Sequence, residues 1–156
     1  MSANKLNLGQ FIHWDWGQNY PFNACMAKLM ECLGGDIKCE NVGGAVIAGC
    51  DVSCNNVGGP VKSDYDVQCN NVGGSVKSGG DVTCNNIEGS LCAGGDVECN
   101  NISGDVNCGG DVECENIDGS AEIGGGLNVD TIKASVTAGG EINAETISNC
   151  ILNSQR

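Results

Sequence analysis

From residue 35 onward the chain repeats every fifteen residues: GDIKCENVGGAVIAG, CDVSCNNVGGPVKSD, YDVQCNNVGGSVKSG, GDVTCNNIEGSLCAG, GDVECNNISGDVNCG, GDVECENIDGSAEIG, GGLNVDTIKASVTAG and GEINAETISNCILNS. No insertion breaks the register over these eight blocks. A strict short period requires a stacked architecture, in which each block is one structural unit and touches only its neighbours. Fifteen residues rich in Gly and Val cannot hold the two helices of a helical repeat. The repeating unit must be made of strands and turns.

The columns of the repeat define that unit. The third position reads Ile37, Val52, Val67, Val82, Val97, Val112, Leu127, Ile142; the eighth reads Val42, Val57, Val72, Ile87, Ile102, Ile117, Ile132, Ile147. The twelfth reads Val46, Val61, Val76, Leu91, Val106, Ala121, Val136, Ile151. β-Branched residues in short runs bounded by Gly and Asn are strands with turns between them. Two residues beyond each large column lies a small one: Cys at the fifth position, mostly Gly at the tenth, mostly Ala or Ser at the fourteenth. Period-two alternation turns these inward with the large residues, giving about six inward positions per coil. The expected fold is all-β: a triangular parallel β-helix of about eight coils over 35–156, one strand per side. Stacked coils lie about 4.8 Å apart, the spacing of neighbouring strands.

Segments such as Gly95-Asp96-Val97, Gly73-Gly74-Ser75-Val76 and Val136-Thr137-Ala138-Gly139-Gly140-Glu141-Ile142 resemble those of bactofilins, polymer-forming cytoskeletal proteins of bacteria. The resemblance covers about residues 35–148. It implies a β-helix that self-associates end to end without a nucleotide. The Cys and Asn columns lie outside the resemblance.

Six cysteines, Cys39, Cys54, Cys69, Cys84, Cys99 and Cys114, occupy the inward fifth column. Zinc requires four ligands converging tetrahedrally, and a single stacked file does not converge. Disulfides are disfavoured because parallel Cβ vectors hold neighbouring Cβ atoms near the rung spacing rather than at about 3.8 Å. These residues are expected to be reduced, unmetalled core thiols, which fits a cytoplasmic chain without a cofactor. Asn41, Asn56, Asn71, Asn86, Asn101 and Asn116 sit at the corner after the Cys, where stacked amides can hydrogen-bond from coil to coil. Asp36, Asp51, Asp66, Asp81, Asp96 and Asp111 follow a turn, where a carboxylate accepts backbone N–H groups. The nonapeptide pattern of calcium-binding β-helices is missing.

Charge narrows the functional classes. Lys plus Arg number 7 against 20 for Asp plus Glu, giving a formal net charge of −13. Nucleic-acid binders neutralise phosphates with Lys and Arg, so direct nucleic-acid binding is not expected. Acidic residues concentrate in the middle coils, with Asp81, Asp96, Glu98, Asp111 and Glu113 forming a candidate acidic face. Such a rod could occupy a basic site on a partner protein, much as DNA-mimicking repeat proteins do. Enzymatic motifs are missing: there is no Gly-x-Ser-x-Gly and no P-loop, and His13 is the single histidine. No apolar stretch is long enough to span a membrane, and the N-terminus has the features of no signal peptide.

Residues 1–34 differ from the repeat. Phe11, Trp14, Trp16, Tyr20 and Phe22 cluster there, followed by NACMAKLMECLGG. Asn23 is placed to cap a short helix over 24–33, ended by Gly34 and Gly35. This segment is expected to cap the first coil, with the aromatic residues as a possible partner patch. Nothing comparable follows Ile147. Ile142, Ile147, Ile151 and Leu152 are therefore the expected oligomer contact, favouring a tail-to-tail homodimer over an open filament.

Overall fold

The computed structural model describes residues 34–148 in full, together with the backbone of 12–14, 29–32 and 152–154. The architecture is a parallel β-solenoid of 15-residue coils. Six-residue strands alternate with shorter ones along the chain. The six-residue set is β3 (Ile37–Val42), β5 (Val52–Val57), β7 (Val67–Val72), β9 (Val82–Ile87), β11 (Val97–Ile102), β13 (Val112–Ile117), β15 (Leu127–Ile132) and β17 (Ile142–Ile147). Between them run β4 (Ala45–Ala48), β6 (Val61–Ser63), β8 (Val76–Ser78), β10 (Leu91–Ala93), β12 (Val106–Cys108), β14 (Ala121–Ile123) and β16 (Val136–Ala138). The outer strands are β1 (Ile12–Trp14) and β2 (Leu29–Cys32) at one end and β18 (Leu152–Ser154) at the other.

These strands form two sheets: an eight-stranded one from β3 to β17, and a ten-stranded one from β1 through β2 and β4 to β18. The eight-stranded sheet makes seven coil-to-coil steps, about 34 Å at the usual strand spacing. Pairing is in register at the fifteen-residue period, with Val97 opposite Val82 and Val112, and Ile102 opposite Ile87 and Ile117.

The expectation of one strand on each of three sides is corrected here. Two apolar columns, the third and the eighth, ride on the same six-residue strand. Its residues are buried at the third, fifth and eighth positions, while the sixth and seventh both face outward, as in β7 and β9. Two successive outward residues break the period-two alternation and mark a bend within the strand. The inward set is also smaller than expected. Positions three, five, eight, twelve and fourteen are buried, but the tenth-column glycines are only partly covered. Those glycines answer to close backbone approach: a Cβ on Gly104 would lie 2.7 Å from the carbonyl carbon of Gly89.

The core is one continuous file of these columns, and Val82, Val97 and Val112 are among its members, as the repeat predicts. Full burial of each such side chain stabilises the fold by about 1.5–3 kcal/mol.

The ends bring two further corrections. Residues 29–32 are strand β2, not part of a helix over 24–33. β2 lies parallel to β4, with Met30 opposite Val46, and β1 adds beyond it, with Ile12 opposite Met30. The bare edge of β4 offers backbone partners, and that tertiary demand overrides a local helical pattern. At the other end Leu152, not Ile151, stands opposite Val136, so the last coil holds one residue more than the period. The helical prediction for the rest of 24–33 lies outside the described residues.

Candidate functional site

Three side-chain ladders run along the solenoid. In the first, each corner asparagine donates its Nδ2–H to the Oδ1 of the asparagine one coil earlier. The steps are Asn56 to Asn41 (2.7 Å), Asn71 to Asn56 (2.8 Å), Asn86 to Asn71 (2.7 Å), Asn101 to Asn86 (2.8 Å) and Asn116 to Asn101 (2.7 Å). This is the coil-to-coil amide bonding that the column predicts.

In the second ladder each aspartate Oδ1 accepts the backbone N–H of the residue fifteen positions on. Asp81, Asp96 and Asp111 donate to Asp66 (2.9 Å), Asp81 (2.8 Å) and Asp96 (2.8 Å), and the Gly126 N–H donates to Asp111 (2.7 Å). The preceding glycine makes this possible. A Cβ on Gly95 would lie 2.0 Å from Asp81 Oδ1, and one on Gly110 equally close to Asp96 Oδ1. The recurring Gly-Asp pair is thus one device, with glycine leaving room for the carboxylate of the coil before.

The third ladder is the cysteine file. Cys54, Cys69, Cys84, Cys99 and Cys114 are buried, whereas Cys39 at its N-terminal end is half-buried. All are free thiols in the structure. The hydrogen bond with Cys54 draws the Cys69 thiol down, but the Cys84 thiol and burial outweigh it and raise Cys69 to about 12. Cys84 follows the same pattern between Cys69 and Cys99, also reaching about 12. Burial raises Cys114 to about 11. Thiols this far above their ordinary range are protonated and inert at neutral pH. Cys39 alone is lowered, by its hydrogen bond with Cys54. The sulfurs of these two lie 2.8 Å apart.

Beside the aspartate ladder, the outward fourth position of the repeat, second in each six-residue strand, completes a shallow groove of about 490 Å³. Asp81, Asp96, Glu98, Asp111 and Glu113, the predicted acidic face, all line it. Glu98 and Glu113 stand directly opposite each other on β11 and β13. Like charges so placed repel. Glu141 also lines this groove and was missed; it occupies the aspartate column of the last coil, and following that column to its end would have found it. Lys133 pairs with Asp118 at 2.7 Å on the surface away from this groove.

Of the four residues of the predicted oligomer contact, two are described with their side chains. Ile142 is half-buried and Ile147 is 39 % exposed, although every other member of the eighth column is buried. Ile151 lies outside the described residues, and Leu152 is described only in its backbone. Phe11, Trp16, Tyr20 and Phe22 lie outside the described residues, and Trp14 is described only as backbone in β1. Among the described residues no group of three or more His, Cys, Asp or Glu converges as a metal site, and no helix is long and apolar enough to cross a membrane. Compared with models of protein families, with curated proteins and with solved structures, the chain matches none.

Proposed function

We propose that this chain is a non-enzymatic structural module that self-associates through its C-terminal coil. The observation that supports this reading is the contrast between the two ends of the eight-stranded sheet. At the first coil Ile37 and Val42 are 5 % and 2 % exposed. At the last coil Ile142 is half-buried and Ile147 is exposed, so although β3 and β17 are both edge strands, the apolar side chains are uncovered only at β17. An unpaired strand edge carrying apolar side chains is a template for pairing with another chain. One covered and one open end favour a closed, two-fold, tail-to-tail homodimer over the filament that the bactofilin resemblance implies. The buried thiol file suits a reducing, cytoplasmic setting, and no cofactor is invoked.

Light scattering against concentration, at low and high salt, tests this. The parent chain is expected to run as a dimer that survives high salt, because apolar contacts are not screened. The double variant Ile142→Lys, Ile147→Lys is expected to be monomeric at micromolar concentration. A double variant with the parent's mass would place the contact elsewhere, and a parent that is monomeric throughout would end the proposal.

The acidic groove supports a second reading, an inhibitor that presents a charged rod to a basic partner. Such binding would weaken steeply with salt and with Glu98→Gln, Glu113→Gln. A pull-down from the native host, repeated with that variant, checks it.

A further inference from the structure

We propose that Cys39 and Cys54 form a modification site, a thiol pair that closes to a disulfide on reaction with a small-molecule disulfide. Three observations carry this. The two residues are register partners on β3 and β5, and neighbouring strands lie about 4.8 Å apart, inside the Cα range of about 4.4–6.8 Å that a disulfide spans. Their sulfurs are already 2.8 Å apart, so the rotamers at this rung have turned the thiols toward each other. Access is confined to the same rung: Cys39 is half-buried at the end of the file, while Cys69, Cys84, Cys99 and Cys114 lie inside the core. The pair therefore combines proximity with an entrance that the deeper thiols lack.

The reaction balances in two exchanges. The Cys39 thiol loses its proton and its sulfur attacks one sulfur of the reagent disulfide, breaking that bond and releasing one reagent thiolate. The Cys54 thiol then loses its proton and attacks Cys39 Sγ, breaking the mixed disulfide and releasing the second thiolate. Two electrons pass from the protein sulfurs to the reagent, and the two protons end on the released thiols. Cys39 is suited to the first step because Cys54 stabilises its thiolate. Cys54 is raised, first by its hydrogen bond with Cys39 and then by that with Cys69, so it stays protonated until Cys39 has reacted.

The test treats the full-length reduced chain with oxidised glutathione under native conditions, then alkylates the remaining thiols and maps the peptides. The expected result is a linked Cys39–Cys54 peptide, with loss of two alkylatable thiols beyond any glutathione carried by exposed Cys92, half-buried Cys50 or the cysteines outside the described residues. Cys39→Ser should abolish the link while keeping the native circular dichroism spectrum, and Cys84→Ser should leave the link intact. Glutathione retained on Cys39, a link from Cys39 to any other cysteine, or a Cys39–Cys54 link that forms only in denaturant would overturn the proposal. So would persistence of the link in the Cys84→Ser chain only when that chain is unfolded.

Discussion

At the residue scale the fold rests on positions that tolerate neither charge nor added volume. Val97 is buried in the middle of the core, flanked by Val82 and Val112. Val97→Asp places an unpaired carboxylate there and is expected to cost more than about 4 kcal/mol, in the range reserved for severe core defects. Denaturant unfolding at neutral pH measures this, and a stably folded variant would contradict the register. The thiol file adds a pH dependence. Cys69 and Cys84 have an ordinary value of 9.0 when unfolded but hold their protons to about 12 in the folded chain. The folded state therefore binds more protons between those values. Its stability is full below about pH 9 and declines as pH rises toward 12. Cys69→Ala combined with Cys84→Ala should make that alkaline decline shallower in denaturant titrations, and an unchanged slope would refute the assignment.

At the scale of the element, each coil is fastened to the next by side chains as well as by sheet bonds. Where the fourteenth position is polar, its donor meets the carbonyl of the residue thirteen positions earlier, which opens the same fifteen-residue block: Ser63 reaches the Cys50 carbonyl, Ser78 that of Tyr65, and Cys108 that of Gly95. The Gly-Asp device makes a sharper prediction. Asp96→Ala removes the acceptor for the Asp111 N–H and should cost about 1–2 kcal/mol. Asp96→Asn keeps an Oδ1 acceptor and relieves repulsion from the neighbouring carboxylates, so its loss should be smaller, and adding salt, which screens that repulsion in the parent, should widen the gap to the parent. Thermal melts of both variants at two ionic strengths decide this; equal losses would mean that the carboxylate's charge, not its acceptor, matters. Gly95→Ala should behave like Asp81→Ala, because the new methyl group claims the space of Asp81 Oδ1.

At the scale of the whole molecule, a solenoid in which each coil contacts only its neighbours is close to one-dimensional, with stability that sums coil and interface contributions. The coils should then be interchangeable. Deleting residues 80–94 removes one period and brings Gly79 to Gly95, leaving every column in phase. The shortened chain is expected to fold with a β-rich circular dichroism spectrum and a lower melting temperature. Deleting seven residues from the same place shifts the inward columns out of phase and should abolish cooperative melting. Equal behaviour of the two deletions would contradict the fifteen-residue unit. The same one-dimensional logic explains why the termini matter: each interior coil covers its neighbours, whereas Ile142 and Ile147 have no following coil among the described residues to cover them.

The sequence alone determined the period, the parallel stacking and nearly every buried column. A strand's inward face is set by alternation, and an unbroken fifteen-residue repeat puts like residues on like rungs. For the same reason it foretold the asparagine ladder, the acceptor role of the aspartates and the grouping of Asp81, Asp96, Glu98, Asp111 and Glu113. Only the tertiary structure decided what depends on where the chain bends and what it meets at its ends. The bend after the cysteine column merges two expected sides into one strand and leaves the tenth column half-covered. Leu29–Cys32 is a strand because the edge of β4 has hydrogen bonds to satisfy, a demand no local pattern records. The last coil gains a residue, setting Leu152 opposite Val136. The closeness of Cys39 and Cys54 was equally invisible, since a column fixes which face a thiol occupies while its rotamer, settled by packing at the end of the file, fixes how near it comes to the next.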